Sequence, residues 1–272
     1  MGKAKAKACY PVGVILTISA AGSETSNSSV ITYAKEGLKR SYNDNLARPK
    51  FAIMNPEYTK SLPDYQTESG CTDIMMHTME RYFSNDDDME VTDAIAESIL
   101  RTVINVTPLV LKDPTNYEYR AQLMWAGSLA HNDLTGCGTT GDWATHNLEH
   151  ELSGMFDVSH GAGLAAVWGS WARYTCHQNM SRFARFAVNV MGVKQNFKSL
   201  EETAEAGILA MEQFFHSIGM PTSIKELIDK DITDAQIEEM ADKCCEYGRR
   251  TIGGLVQLNR ADMVAIYKMA RG

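Results

Sequence analysis

The sequence predicts an α+β protein, with a β-rich segment over residues 1–63 and an all-helical domain over residues 64–272. Two observations predict it. Up to residue 63 the apolar residues fall in short, β-branched runs bounded by Gly, Pro and Asn, the pattern of strands and turns. From Gln66 onward they recur at three- and four-residue spacing, the period of a helix. Cap and stop residues then cut the second region into about seven or eight helices.

Val12–Ser19 is the first strand candidate. Lys3, Lys5 and Lys7 ahead of the apolar run Val12–Ala21 imitate a secretory leader, but Pro11, Gly13, Thr17 and Ser19 suit a helical leader poorly. Val30–Tyr33 and Phe51–Met54 are the second and third strands, separated by a polar, turn-rich stretch over Lys35–Pro49. Asp88 is placed to cap a helix carrying Val91, Ile95, Ile99, Val103 and Val106. Asp113-Pro114 reads as a cap with proline at the first helical position. Ser199 with Glu202, and Thr233 with Gln236, have the spacing of capping boxes. Gly219, followed by Pro221, ends the helix that holds Phe214 and Phe215, and Asn259 starts the last one. No apolar run approaches the roughly 18 residues of a membrane span.

The chain has 272 residues, 44% of them hydrophobic, which is ample for a large core. A formal net charge of −8 with scattered Lys and Arg argues against a nucleic-acid binder. The six cysteines form no CxxC pair, so neither a disulfide framework nor a zinc ribbon is expected. Reduced cysteines in a cytoplasmic protein is the plainer reading.

The chemistry concentrates in two histidine clusters. Asp73 and His77 lie four apart in TDIMMHTMERYF, a segment free of Gly and Pro, so a helix puts both on one face. His146 and His150 repeat that spacing in DWATHNLEHELSGMF, and His160 follows on the loop that opens the next helix. Asp73, His77, His146 and His160 together offer three imidazoles and one carboxylate, with no thiolate. That set suits Fe(II) or Zn(II), leaves Ni(II) and Mn(II) open, and disfavours Ca(II). His150, one turn past His146, is expected beside the ion rather than on it. A lone D-x-x-x-H pair is ordinarily a surface ion pair. The H-x-x-x-H pair is more specific, although two solvated histidines are common, and both pairs together with a further histidine ten residues on outweigh that reading. His131, His177 and His216 have no such company and read as surface or capping residues.

Gly136-x-Gly138-x-x-Gly141 matches a dinucleotide fingerprint, but a helix rather than a strand precedes it, so it reads as a glycine loop close to the metal cavity. Ala20-Ala21-Gly22-Ser23-Glu24, directly after the first strand, is the better cofactor candidate.

At this point the residues become recognisable. PVGVILTISAAGSETSNSSVIT, RPKFAIMNPEYTKSLP, CTDIMMHTMERYF, GCGTTGDWATHNLEHELSGMFDVSHGAGLAAVW and NRADMVAIYKMARG resemble the iron-containing alcohol dehydrogenase family, and within it the NADH-dependent butanol dehydrogenase branch. The resemblance runs through essentially the whole chain. It implies a dehydroquinate synthase-like fold, with Asp73, His77, His146 and His160 as ligands of Fe(2+), or of Zn(2+). It implies that His150 helps relay the alcohol proton and that Trp143 lines the substrate pocket. Thr17, Ala21 and Ser23 fall where the family contacts the nicotinamide half and phosphates of NAD(H) or NADP(H), and Lys50 and Leu62 match further positions near the cofactor.

Family members carry a further segment ahead of this start, including a Gly-Gly-Gly-Ser phosphate loop and an acidic residue for the adenosine ribose. The expectation is therefore an N-terminally truncated member whose residues 1–63 are part of a dinucleotide-binding domain. Its implied partners are a small alcohol or aldehyde such as butanol or butyraldehyde, with neither nucleic acid nor membrane, and with room for a homodimer. The competing expectations are a metal-binding fragment that is inactive alone or needs a partner chain, and a metallohydrolase. The hydrolase reading lacks an H-E-x-x-H pattern and an obvious glutamate base.

Overall fold

The computed structural model describes residues 5–86 and 88–272, so Lys3 lies outside the described residues. Four strands come first: β1 (Gly13–Ile15), β2 (Ser28–Tyr33), β3 (Leu38–Asn43) and β4 (Phe51–Ile53). β1 pairs in parallel with β4, Val14 opposite Ala52, and β2 pairs antiparallel with β3, Ile31 opposite Arg40. Two departures from the sequence reading stand out here. The first strand stops at Ile15 rather than Ser19, because the chain turns away to lay Ser19 and Ala20 against the next helix. The polar stretch over Lys35–Pro49 is not all turn. Six of its residues form β3, held in place by the hairpin partner rather than by an apolar face of their own.

Ten α-helices follow among the described residues, more than the cap and stop signals suggest. They are α1 (Asp64–Tyr82), α2 (Glu90–Lys112), α3 (Tyr117–His131), α4 (Ala144–Phe156), α5 (His160–Thr175), α6 (Met180–Asn189), α7 (Leu200–Ser217), α8 (Ile224–Ile228), α9 (Asp234–Cys244) and α10 (Arg260–Ala270). The extra ones escape a periodicity argument: α8 is a five-residue turn, and α5 and α6 are parted only by a 3-10 turn at Cys176–Gln178.

Two expected caps fail. Asp88 sits at φ 59°, in the left-handed region, and cannot take the extended backbone of a cap, so α2 starts without a side-chain cap. Asp113 organises the preceding turn by accepting from Thr115 and Asn116, and Asn116 caps α3. Thr233 and Gln236 do form the reciprocal box at α9, and Asn259 with Asp262 forms another at α10. Ser199 caps α7, but Glu202 turns to Asn196 instead of closing the box. α2 is, by length and mean composition, apolar enough to cross a membrane, although polar and charged residues interrupt its apolar run. Its Ile99, Leu100, Val103 and Val110 are buried in the core of the helical part.

That core belongs to the helices. Trp168, Trp171, Phe83, Phe183, Phe186 and Phe215 are fully buried, with Phe83 stacked on Phe183 at 4.3 Å. α1 runs through the middle, packed by α2, α3 and α5, and every residue from Ser69 to Tyr82 is buried. Where the loop after β1 crosses α1, a Cβ on Gly70 would stand 2.4 Å from the Ser19 carbonyl oxygen, so only glycine lets that loop lie on the helix.

A second close approach fixes α6 on α7. A Cβ on Gly207 would stand 2.4 Å from the Ala187 Cβ and 2.8 Å from its Cα. Alanine there gains about 1 kcal/mol of helix propensity but forces two backbones apart, which costs about 1–3 kcal/mol. Backbone contact on both sides puts this case at the costly end, so Gly207→Ala is expected to lower stability by about 1–2 kcal/mol. A urea unfolding curve followed by circular dichroism checks this. An unchanged midpoint would mean that α6 moves aside freely.

Candidate metal centre

α1, α4 and α5 bring polar residues together beside the buried α1. Asp73 and His77 stand one turn apart on α1, with Asp73 Oδ1 3.3 Å from His77 Nδ1. From α4, His146 Nε2 reaches the same oxygen at 3.8 Å. From the first residue of α5, His160 Nε2 reaches it at 3.7 Å. Donor atoms around one ion at bonds near 2.0–2.2 Å stand roughly 3–4 Å apart, so these spacings suit a shared cation. Asp73 Oδ1, His77 Nδ1 and His146 Nε2 are buried and have no hydrogen-bond partner. Buried polar atoms are normally satisfied. Three orphans converging on one point are the mark of a cation site, and the nitrogen–oxygen donor set fits a divalent transition metal.

Two carboxylates aim the rings. Glu80 Oε1 accepts from the His146 backbone N–H at 2.9 Å and meets its Nδ1 at 3.0 Å, which turns Nε2 toward Asp73. Glu149 does the same for His160 Nδ1, and Lys39 Nζ from β3 lies 3.5 Å from that carboxylate. A carboxylate on the far ring nitrogen fixes a histidine's tautomer and aims its other nitrogen at the shared oxygen.

Burial opposes ionisation of Asp73, but the His77, His146 and His160 imidazoles outweigh it and hold the carboxyl well below its usual range. Burial likewise works against protonation of His146, yet Asp73 and Glu80 together push its pKa up to about 9. Burial, helped by neighbouring His131 and Arg81, drives His77 well down. For Glu149, burial is overcome by His160 and Lys39, giving about 2.

His150 is on α4 one turn past His146, its ring stacked 5.7 Å from that of His160. Burial, with help from His160, lowers its pKa to about 3. Trp143, at the residue before α4, is held at φ 68° and sets its ring 5.4 Å from His146 and 6.3 Å from His77. The Arg81 guanidinium lies 4.6 Å over that ring. A cavity of about 320 Å³ opens beside Asp73 and His160 and is lined on its far side by Ile18 and Ala20.

The structure thus gathers Asp73, His77, His146 and His160, with His150 and Trp143 next to them. It does not gather the five nucleotide candidates so closely. Thr17, Ala21 and Ser23 are exposed on the loop after β1, and Lys50 is exposed at the start of β4. Leu62 is half-buried near Ser19 and Arg120. Gly136 to Gly141 pack against α1, where the Asp142 N–H donates to the Glu80 carbonyl at 2.6 Å, as a glycine loop beside the cavity should. His216 and His177 are at the surface as expected, but His131 is not. Its ring lies 4.1 Å from that of His77. The sequence reading also missed Glu80 and Glu149. Each stands three residues past a candidate ligand, a spacing that offered a signal, but each serves a histidine on another helix.

Residues 67–271 match the model of the Fe-containing alcohol dehydrogenase family, C-terminal, and residues 1–56 match that of the iron-containing alcohol dehydrogenases. The chain belongs to the iron-containing alcohol dehydrogenase family. These enzymes are oxidoreductases. The chain is 38% identical over 266 residues to a probable NADH-dependent butanol dehydrogenase 1 of Bacillus subtilis, covering 98% of this chain and 67% of that one. It is 33% identical over 270 residues to the NADPH-dependent aldehyde reductase YqhD of Escherichia coli, covering 99% and 68%. A crystal structure of NADH-dependent butanol dehydrogenase A from Thermotoga maritima superposes with a TM-score of 0.93 at 32% identity, covering 100% and 68%. The chain spans about two thirds of the length of these dehydrogenase relatives.

Metal loading must displace the proton that His146 holds. With a pKa raised to about 9 in the metal-free protein, that proton stabilises the empty fold below the ordinary value of about 6.5, and its contribution is lost as pH rises through 9. Affinity for a divalent cation is therefore expected to rise by about tenfold per pH unit between pH 7 and 9 and then to flatten. Titration of zinc against a competing chelator, with the chelator's own protonation subtracted, measures the slope. A flat profile from pH 7 to 9 would rule His146 out as a proton-releasing ligand.

Proposed function

We propose that this chain interconverts short primary alcohols and aldehydes, of the butanol and butyraldehyde type, with NAD(H) or NADP(H). The observation that carries the reading is the set of orphaned donor atoms around Asp73 Oδ1, opening on a cavity walled by the loop after β1. The relatives' names supply the substrate class, and since they include both NADH- and NADPH-dependent enzymes, the nucleotide stays open between the two.

Asp73, His77, His146 and His160 would hold Fe(2+), or Zn(2+), and Thr17, Ala21, Ser23, Lys50 and Leu62 would hold the nucleotide. When bound, the ion supplies Lewis acidity at the substrate oxygen, and the nicotinamide exchanges the hydride. The chain's residues do the rest. Trp143 closes one wall and orients an alkyl chain along its face. His150, one turn past His146 with its ring stacked 5.7 Å from that of His160, is placed to relay the alcohol proton outward. Ile18 and Ala20 give the cavity an apolar lining opposite Asp73 and His160, which would limit water around the reacting groups.

A second reading, a metal-binding chain that needs a partner to complete the nucleotide site, is favoured by one feature. Ile15 on β1, and Phe51 and Ile53 on β4, are apolar and exposed on a sheet of only two strands.

Mixing the metal-loaded chain with NADH or NADPH and butyraldehyde, and following absorbance at 340 nm, separates the two. Consumption by the chain alone supports the first reading, and none without an added partner supports the second. His150→Ala is expected to keep its metal while turnover falls by about 10²–10⁴-fold. Loss of the metal in that variant would make His150 a ligand instead.

A further inference from the structure

A second donor cluster adjoins the centre. A carboxylate oxygen of Glu149 and one ring nitrogen each of His150 and His160 lie within 4.8 Å of one another. Imidazoles and a carboxylate at that spacing can hold a divalent ion, as the residues around Asp73 Oδ1 can. Glu149 is fully buried, Ser153 donates to its Oε1, and its Oε2 meets His160 Nδ1. His160 therefore belongs to both clusters, facing Asp73 with Nε2 and Glu149 with Nδ1.

The second cluster already holds a positive charge. Lys39 Nζ stands 3.5 Å from Glu149 Oε2 and 3.5 Å from His160 Nδ1. The strand that delivers it is firmly seated. A Cβ on Gly154 would stand 2.8 Å from the Gly37 carbonyl oxygen, so the turn between β2 and β3 lies directly on α4. Next along β3, Arg40 donates from Nη1 to Glu151 at 2.7 Å and to the Lys39 carbonyl at 2.8 Å. Its Nη2 donates to the Lys243 carbonyl at 2.9 Å. With its backbone pinned and its side chain only 16% exposed, Lys39 has little room to swing away. An ammonium and a divalent ion about 4 Å apart in such a water-poor place repel strongly, so one excludes the other.

We propose that Lys39 is a tethered cation that occupies a second metal position and keeps the centre to a single ion. Once the ammonium is removed, Glu149, His150 and His160 Nδ1 bind a further divalent ion, and the His160 ring proton passes to solvent. His160 then bridges the two ions through its two nitrogens. By holding that place, Lys39 leaves the His150 ring free of metal, as a proton-relaying residue must be. The inference rests on the reading of Asp73, His77, His146 and His160 as a metal centre, and deepens it.

The test titrates Co(II) into the whole metal-free chain and reads the stoichiometry by calorimetry. The native protein is expected to take about one equivalent and Lys39→Met about two, while Lys39→Arg, which keeps the charge, stays at about one. Adding His150→Ala to Lys39→Met should bring the count back to one, which sets the cluster apart from adventitious surface binding. Two Co(II) ions sharing one imidazolate couple magnetically. The electron paramagnetic resonance intensity of Lys39→Met with both ions should therefore fall below twice that of the native protein. Lys39→Gln takes the place of Lys39→Met if circular dichroism shows the latter unfolded. A second equivalent in the native protein, a single one in the uncharged variant, or a second that survives His150→Ala overturns the proposal. No uptake by the native protein would count against the centre around Asp73. The role of Lys39 would still be decided, supported by a gain of one ion in Lys39→Met and overturned by none.

Discussion

The meeting of Asp73 Oδ1 with three imidazoles is the interaction on which the rest of the molecule turns. A carboxylate in so dry a place is costly unless positive charge faces it. His77 on its own helix, His146 on α4 and His160 on α5 supply that charge, or the lone pairs that will hold it. The consequence is architectural. α4 and α5 must arrive at α1 with their polar residues pointing inward, while Leu148 and Leu152 of α4 and Trp168 and Trp171 of α5 are buried in the apolar core.

Glu80 and Glu149 extend the same logic by one layer. Each binds a histidine from a helix other than its own, so the three helices are cross-wired rather than simply packed. Glu149 is also within reach of Lys39, which ties the β2–β3 hairpin to the centre. The adjacent Arg40 to Glu151 ion pair fastens the same strand to α4. The hairpin is mostly exposed, yet two consecutive basic residues make it part of the site's wall.

How much of this was legible depended on whether a residue's role was local. Asp73, His77 and His146 were legible because helical spacing alone puts an acid and its histidine on one face. His160 was legible because the chain offers few histidines and this one opens a helix. Thr233 and Asn259 were legible caps, since a cap involves only the next three residues. The illegible features all depend on contact across the fold. β3 has no apolar alternation and exists because β2 lies opposite. Asp88 lost its cap to a left-handed backbone that no local signal announced. His131 looked solitary in sequence and stands against His77 in space. The nucleotide candidates Thr17, Ala21, Ser23, Lys50 and Leu62 came from resemblance, because an exposed loop residue carries no pattern of its own.

α1 carries Asp73, His77 and Glu80 on a helix whose residues from Ser69 to Tyr82 are all buried. A helix on the surface has one face free to drift, so chemistry can be read there as the positions that hold still against a moving background. α1 offers no such background. Its methionines and threonines are held by volume as firmly as Asp73 and His77 are held by charge. Across related sequences this segment should therefore change little throughout, and a comparison confined to it would mistake packing for catalysis.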